Sequence, residues 1–119
     1  MTMRIALSLT LLIAALILWG TLSPPGPPGP PLPLSDKQMH AIAFGLLVLP
    51  LGWQNIRHAL WLAPAALVLG GCIEVIQPLV GRGAEWGDFL ADATGIVAGL
   101  VPGWLRHRAS TRVSARQHG

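Results

Sequence analysis

Residues able to carry out chemistry are gathered at three places in this sequence, each beside an apolar stretch. His40, Glu74 and Asp92 supply one imidazole and two carboxyl groups. Such groups serve enzymes as general acids and bases, so we predict them as candidate catalytic residues. A binding site for a polar ligand would add four neighbours to them: Lys37, Gln77, Arg82 and Asp88. Tight His/Cys spacing typical of a metal centre is missing from the sequence, and we predict neither a metal nor a cofactor.

Helical spacing would bring these side chains onto three helix faces, because residues three or four apart lie on one side of a helix. The three faces are Lys37, His40, Phe44 and Leu47; Gly70, Glu74 and Gln77; and Asp88, Asp92, Gly95 and Gly99. Each face has a polar end above small or apolar residues, and the three polar ends lie at similar depth. We predict that they converge into one polar pocket.

Charge pairing within such a pocket can also be predicted. Buried carboxylates without partners are costly, so we expect Arg82 to neutralise Asp88 or Asp92. We expect His40 to approach Glu74 or Asp92. If Glu74 lies more than about 10 Å from both His40 and Asp92, farther than a water-bridged hydrogen-bond chain reaches, the three residues do not form one site. If the helices cross a membrane, Arg82 could instead bind lipid headgroups, and Lys37 could lie at the membrane surface without a functional role.

Structural roles remain open for several of these residues. Asp88 could be the N-cap of its helix, and His40 could be a helix-end histidine bonded to a nearby carboxylate. Glu74 and Gln77 could form a purely structural hydrogen bond between helices. Glu85 is expected to face water outside the cluster. Cys72, the single cysteine, is expected to be a small buried hydrophobic residue.

The composition excludes a soluble enzyme and indicates a membrane protein. The chain has 119 residues, of which 52% are hydrophobic and only 11% charged, whereas soluble domains carry roughly 25% charged residues. Mean hydropathy is +0.57. So few charges cannot cover a water-facing surface, and the length suffices for one domain.

Four apolar stretches predict an all-α fold, a polytopic membrane four-helix bundle within a single domain, residues 1–119. The predicted spans cover about residues 5–22, 37–53, 59–80 and 89–105, near the roughly 20 residues that cross a bilayer. Residues 55–58 would form a tight turn between the second and third spans. The first span resembles a signal peptide, but Pro24 would directly follow the weak cleavage site, which favours an uncleaved anchor.

Charge asymmetry predicts that both termini lie in the cytoplasm. With four spans, one side holds Arg4, Arg57, Arg106, Arg108, Arg112 and Arg116, and the other holds Lys37 and Arg82. The predicted location is the bacterial inner (plasma) membrane. A Pro-rich linker at residues 24–34 would lie outside as an extended polyproline spacer. The basic cytoplasmic tail, residues 106–119, is expected to touch anionic lipid headgroups, and we predict no nucleic-acid partner.

The ordered polar motifs resemble the VanZ-like family, which is named for a teicoplanin-resistance protein. The matching residues are Asp36-Lys37-x-x-His40-x-x-x-Phe44, Glu74-x-x-Gln77, Gly81-Arg82, Asp88, Asp92 and Gly95. The resemblance covers roughly residues 35–103. The family often has Tyr at the position of Phe44 and Asn at that of Asp92. The resemblance implies a small multi-helix protein of the cell envelope and supplies no reaction.

The sequence is compatible with three classes of function. A binding module would hold an anionic lipid or a cell-wall precursor headgroup at the outer leaflet through Lys37, His40 and Arg82. A membrane-embedded hydrolase or transferase would use the His/Glu/Asp cluster. A structural or accessory membrane subunit would use the same cluster only to fix how its helices align.

Overall fold

The structure is a computed structural model that describes residues 1–27 and 29–119. The described residues fold into four α-helices and one short 3-10 helix, without a strand. The helices are α1 (Met3–Leu22), α2 (Asp36–Gln54), α3 (Ile56–Ile76) and α4 (Trp86–His118), and the 3-10 helix is Gln77–Val80. The all-α fold predicted from the sequence is confirmed.

The start of α2 is set by a polar cap that follows the Pro-rich linker. Residues 24–27 and 29–34 form neither helix nor strand, and Pro28 lies outside the described residues. The Ser35 hydroxyl accepts a hydrogen bond from the Gln38 backbone N–H (3.2 Å), and the Gln38 side chain accepts one from the Ser35 N–H (3.0 Å). This reciprocal capping box satisfies two backbone donors and begins α2 at Asp36.

The connection between α2 and α3 is a single residue, Asn55. Its backbone N–H donates to the Leu51 carbonyl (2.7 Å) and ends α2. Its side-chain oxygen accepts from the Arg57 N–H (3.0 Å) and starts α3. The turn predicted over residues 55–58 is therefore too long, because one asparagine caps both helices and leaves Arg57 and His58 inside α3.

The last helix, α4, is much longer than the predicted span of residues 89–105. It runs over 33 residues, from Trp86 to His118, about 50 Å at the usual helical rise. The predicted basic tail continues this helix instead of leaving it. After Gly103 the segment holds good helix formers such as Arg and Ala, with neither Gly nor Pro until Gly119, so nothing ends the helix earlier.

The seam between α2 and α4 is the closest helix contact in the structure. α2 packs against α1, α3 and α4, most extensively against α4. Gly95, Gly99 and Gly103 of α4 lie against the α2 backbone, and a Cβ on any of them would overlap a carbonyl oxygen of α2. The small-residue face predicted for the fourth span is thus present. Phe44 and Val48 of α2 pack with Ile73 and Ile96 into the main apolar cluster.

Among the described residues, two helical segments, Met3–Leu22 and Ile56–Val80, are long and apolar enough to cross a membrane. Large apolar side chains cover much of the outside of the structure; Trp61 is 83% exposed and Trp19 74% exposed. Cys72 is exposed on α3, so the expectation of a buried cysteine is wrong: its position in the helical turn points it away from the other helices.

Candidate functional site

A histidine–aspartate pair joins the second turns of α2 and α4. Nδ1 of His40 lies 2.7 Å from Oδ1 of Asp92, although the two residues are 52 positions apart. The Asp92 side chain is fully buried and that of His40 is 11% exposed. An ionised carboxylate only accepts hydrogen bonds, so Nδ1–H donates to it and Nε2 is left for other partners. The predicted approach of His40 to Asp92 is present.

Asp88 lies one turn before Asp92 and is also buried. Its Oδ2 is 3.9 Å from Nε2 of His40, and its Oδ1 is 3.7 Å from Nζ of Lys37. Asp88 is not the N-cap of α4, because the helix already begins at Trp86 and Glu85 occupies the cap position. A carboxylate in the first helical turn still interacts favourably with the positive end of the helix dipole.

Glu74 brings a third carboxylate into the same cluster from α3. Its side chain is buried, and its Oε2 accepts a hydrogen bond from the Glu85 backbone N–H (3.1 Å). One ligand atom from each of His40, Glu74 and Asp92 lies within 4.8 Å of the others, well inside the 10 Å limit set from the sequence. The convergence of these three residues agrees with the sequence-based prediction.

Gly70 makes room for this arrangement on α3, one turn before Glu74. A Cβ added at Gly70 would lie 2.7 Å from Oδ2 of Asp92. That separation is shorter than side-chain carbons tolerate, so an alanine would displace the carboxylate. The glycine therefore permits Asp92 to reach α3 as well as α2.

Several buried oxygen atoms of the cluster have no hydrogen-bond partner among the described residues. They are Oε1 of Glu74, Oε1 of Gln77, Oδ1 of Asp88 and Oδ2 of Asp92. An unsatisfied buried polar atom costs about 1–3 kcal/mol, and more when it is charged. A ligand able to bind these oxygens would remove that cost.

An exposed ion pair lies at the rim of the cluster. Nζ of Lys37 is 2.7 Å from Oε2 of Glu85, whose side chain is 67% exposed. The Lys37 ammonium holds the pKa of the Glu85 carboxyl below its usual range. The Glu85 side chain faces water as expected, while its backbone N–H belongs to the cluster. The sequence offered one signal for that contact, since the first N–H groups of a helix need external acceptors.

Arg82 and Gln77 bind the end of α1 instead of the carboxylates. An Arg82 guanidinium N–H donates to the Ser23 carbonyl (3.1 Å), and Nε2 of Gln77 donates to the Thr21 carbonyl (3.2 Å). The expectation that Arg82 neutralises Asp88 or Asp92 is therefore wrong. The last carbonyls of a helix lack internal partners and carry its partial negative charge, which attracts these donors.

A cavity of about 690 Å³ opens between α1, α2 and the segment that precedes α4. Its polar wall includes His40, Gln77, Arg82 and Asp88, and its apolar wall is formed by α1 and α2. The apolar wall includes Ile13, Leu16, Ile17, Ala43, Phe44 and Leu46. His40 and Asp88 connect this cavity to the buried carboxylates behind it. The volume and the two-sided lining suit a small amphiphilic ligand.

The chemistry available at this site follows from the paired histidine. A carboxylate on Nδ1 orients the ring and stabilises its charged form, which leaves Nε2 able to act as a base or as a ligand.

No family model, curated protein or solved structure matches the chain. Its function is therefore argued from these residues and from the geometry of the cavity.

Proposed function

We propose that this chain is a VanZ-like integral protein of the bacterial inner membrane, with four spans and both termini in the cytoplasm. Two segments with the length and hydropathy of spans support the proposal. In their most apolar 18-residue stretches, only 17% and 28% of the residues are buried in the structure. A helix from the core of a soluble protein would be mostly buried. Exposed apolar helix surface requires an apolar surrounding, which lipid provides.

The less apolar helices α2 and α4 fit the same proposal. Their ionisable residues inside the bundle, His40, Asp88 and Asp92, face one another across the α2–α4 seam instead of facing outward. Polar groups inside a membrane protein are tolerated where they face the bundle interior. A reporter fused after Gly119 should behave as cytoplasmic, and periplasmic behaviour there would contradict the four-span arrangement.

We further propose that the cavity binds the headgroup of an anionic lipid or of a cell-wall precursor at the outer leaflet. The observation that carries this proposal is the two-sided cavity, with polar side chains at one end and an apolar wall beneath. Arg82 uses one N–H on Ser23 and has further donors, since a guanidinium carries five N–H groups in a planar fork that matches phosphate.

The test is mass spectrometry of lipids that remain bound to the protein in mild detergent. The wild type should be enriched in one anionic lipid class over the total extract. Arg82→Gln should reduce that enrichment roughly 10-fold or more, because a hydrogen bond to a charged group contributes about 1.5–3 kcal/mol. Arg4→Gln, which removes an exposed arginine at the start of α1, away from the cavity, should leave it unchanged.

A second substitution tests the apolar wall separately. Gly20 lines the cavity, and a Cβ there would have nothing within 4 Å. Gly20→Leu should therefore fill cavity space without disturbing the helices, and it should also reduce lipid retention. Equal lipid content in the wild type, Arg82→Gln and Gly20→Leu would refute the binding proposal.

A membrane-embedded hydrolase or transferase is the second candidate, favoured by the His40–Asp92 pair at the cavity wall. Such an enzyme predicts that His40→Gln retains folded protein and accumulates an intact lipid that the wild type converts. Pure binding predicts the same lipid on both proteins. A structural subunit predicts that His40→Gln loses folded protein.

A further inference from the structure

The buried cluster carries more negative charge than its neighbours neutralise. Glu74, Asp88 and Asp92 are each less than 10% exposed. His40 is the only basic group in direct hydrogen-bond contact with them among the described residues. Lys37 lies closer to Glu85 (2.7 Å) than to Asp88 (3.7 Å), and Arg82 is turned toward Ser23. Uncompensated carboxylates in an apolar surrounding are strongly destabilising.

Two unpartnered oxygens define where a compensating charge would lie. Oδ2 of Asp92 and Oε1 of Glu74 accept no hydrogen bond from the described residues, and the two residues are 0% and 3% exposed. Oδ2 of Asp92 lies beside Gly70, on the face of α3 that also carries Glu74 one turn later. Both oxygens therefore belong to the space between α3 and α4, next to the His40 ring.

We propose that His40, Glu74 and Asp92 form a binding site for one divalent transition-metal cation. One ligand atom from each lies within 4.8 Å of the others. Ligand atoms around a tetrahedral cation with bonds of about 2.1 Å are about 3.4 Å apart, so these separations must shorten by up to about 1.4 Å to complete the site. The cation would replace the proton between Nδ1 of His40 and Oδ1 of Asp92, and the neutral ring would then carry its one proton on Nε2.

The donor set selects the class of cation. One imidazole nitrogen with two carboxylates suits Zn²⁺ or Mn²⁺, whereas Ca²⁺ and Mg²⁺ prefer sets made only of oxygen. Three protein ligands also leave coordination positions free, the arrangement of catalytic rather than structural zinc sites. This proposal does not rest on lipid binding, since it concerns only side chains of the chain and an ion.

The experiment is a titration of the tag-free full-length protein in mild detergent, after chelator treatment and desalting, with Zn²⁺ and separately with Mn²⁺. Calorimetry should give one equivalent per chain, and metal analysis after desalting should give the same ratio for Zn²⁺. Asp92→Asn and Glu74→Gln keep the side-chain shape and should each weaken binding about 100-fold. Mg²⁺ should bind at least about 10-fold more weakly than Mn²⁺.

Matched controls separate this site from adventitious binding. Asp36→Asn changes an exposed aspartate of α2, and His118→Gln changes an exposed histidine at the end of α4; both should bind like the wild type. Circular dichroism on each variant establishes that the helices remain. If the wild type binds less than half an equivalent, the carboxylates are compensated by protons and the proposal is refuted. Unchanged affinity in folded Asp92→Asn refutes it equally.

If either isosteric variant fails to fold, the wild type alone decides between the outcomes. Saturating Zn²⁺ should then raise its thermal midpoint, and a chelator should reverse the increase. Mn²⁺ bound to the wild type should show nitrogen coupling in its paramagnetic resonance spectrum. His40→Gln should remove that coupling, because it removes the imidazole ligand. The absence of both the shift and the coupling would overturn the proposal.

Discussion

Replacing Gly95 with alanine should separate the two helices that hold the site together. Gly95 is buried at the α2–α4 seam, and an added Cβ would overlap the Ala41 carbonyl oxygen and approach the Ala41 carbonyl carbon to 2.7 Å and Cα to 2.8 Å. These are backbone atoms and cannot rotate away as a flexible side chain would. The helices must therefore move apart, on the order of 1 Å, to restore ordinary contact.

The magnitude follows from two opposing effects. Overpacking against a rigid neighbour costs about 3 kcal/mol at the upper end of its usual range, and a gap of 0.5–1 Å along the rest of the seam forfeits roughly a quarter to a half of each dispersion contact. Alanine regains about 1 kcal/mol through its higher helix propensity. We expect Gly95→Ala to lower the free energy of unfolding by at least about 2 kcal/mol.

The assay is reversible unfolding in mixed micelles, with increasing denaturing detergent and helicity as the signal. Gly20→Ala is the matched control, because it is the same change within α1 at a position with nothing within 4 Å of the new Cβ. It should be neutral or stabilising by up to about 1 kcal/mol. If Gly95→Ala is as stable as Gly20→Ala, the close contact at the α2–α4 seam is refuted.

Three further predictions concern the core, the rim and the third helix. Phe44→Ala should lower the free energy of unfolding by about 3 kcal/mol because it empties a fully buried position, whereas Leu46→Ala, at an exposed position, should change it by under about 0.5 kcal/mol. Since Lys37 lowers the pKa of Glu85, their pair should add stability above about pH 4.3 and lose it as acid protonates Glu85; an unfolding difference between wild type and Glu85→Gln that persists at pH 2 would contradict this. Gly70→Ala should destabilise by about 1–3 kcal/mol through its clash with Asp92, and equal stability of Gly70→Ala and Gly71→Ala, whose Cβ has only an ordinary contact at 3.7 Å, would disprove it.

The elements of the fold could be predicted from local pattern, because apolar length and polar caps are properties of short segments. The predicted spans lie within the observed helical segments, apart from small differences in where each begins. The predicted turn between α2 and α3 was too long, and α4 extends beyond the predicted fourth span, both for local reasons. A double cap at Asn55 shortens the turn, and helix-forming residues after Gly103 extend α4.

The members of the candidate site were also predictable, since helical spacing places His40, Glu74 and Asp92 at one depth. The partner of Arg82 was not predictable. Arg82 was assigned to a carboxylate because opposite charges attract, but the unpaired carbonyls at the end of α1 compete for the same guanidinium. Which acceptor is nearer depends on how α1 approaches the segment before α4, and no local pattern encodes that approach.

Glycine spacing couples the seam to the site, which allows a sharper prediction. Gly95 is one turn from Asp92, and Ala41 directly follows His40, so their contact sets the distance of the 2.7 Å His40–Asp92 hydrogen bond. Gly103 makes a similar contact with Gly52, but it lies about 12 Å further along α4. Alanine at either position should destabilise the fold, whereas only Gly95→Ala should lengthen the histidine–aspartate bond.

Nitrogen-15 spectra of the His40 ring distinguish the two effects, because hydrogen bonds weaken steeply with distance. Gly95→Ala should shift the Nδ1 resonance toward that of a histidine without a carboxylate partner, and Gly103→Ala should leave it in the wild-type position. Equal shifts in both variants would mean that the seam responds as one rigid unit. An unshifted resonance in a destabilised Gly95→Ala protein would mean that the seam supports the fold without positioning the site.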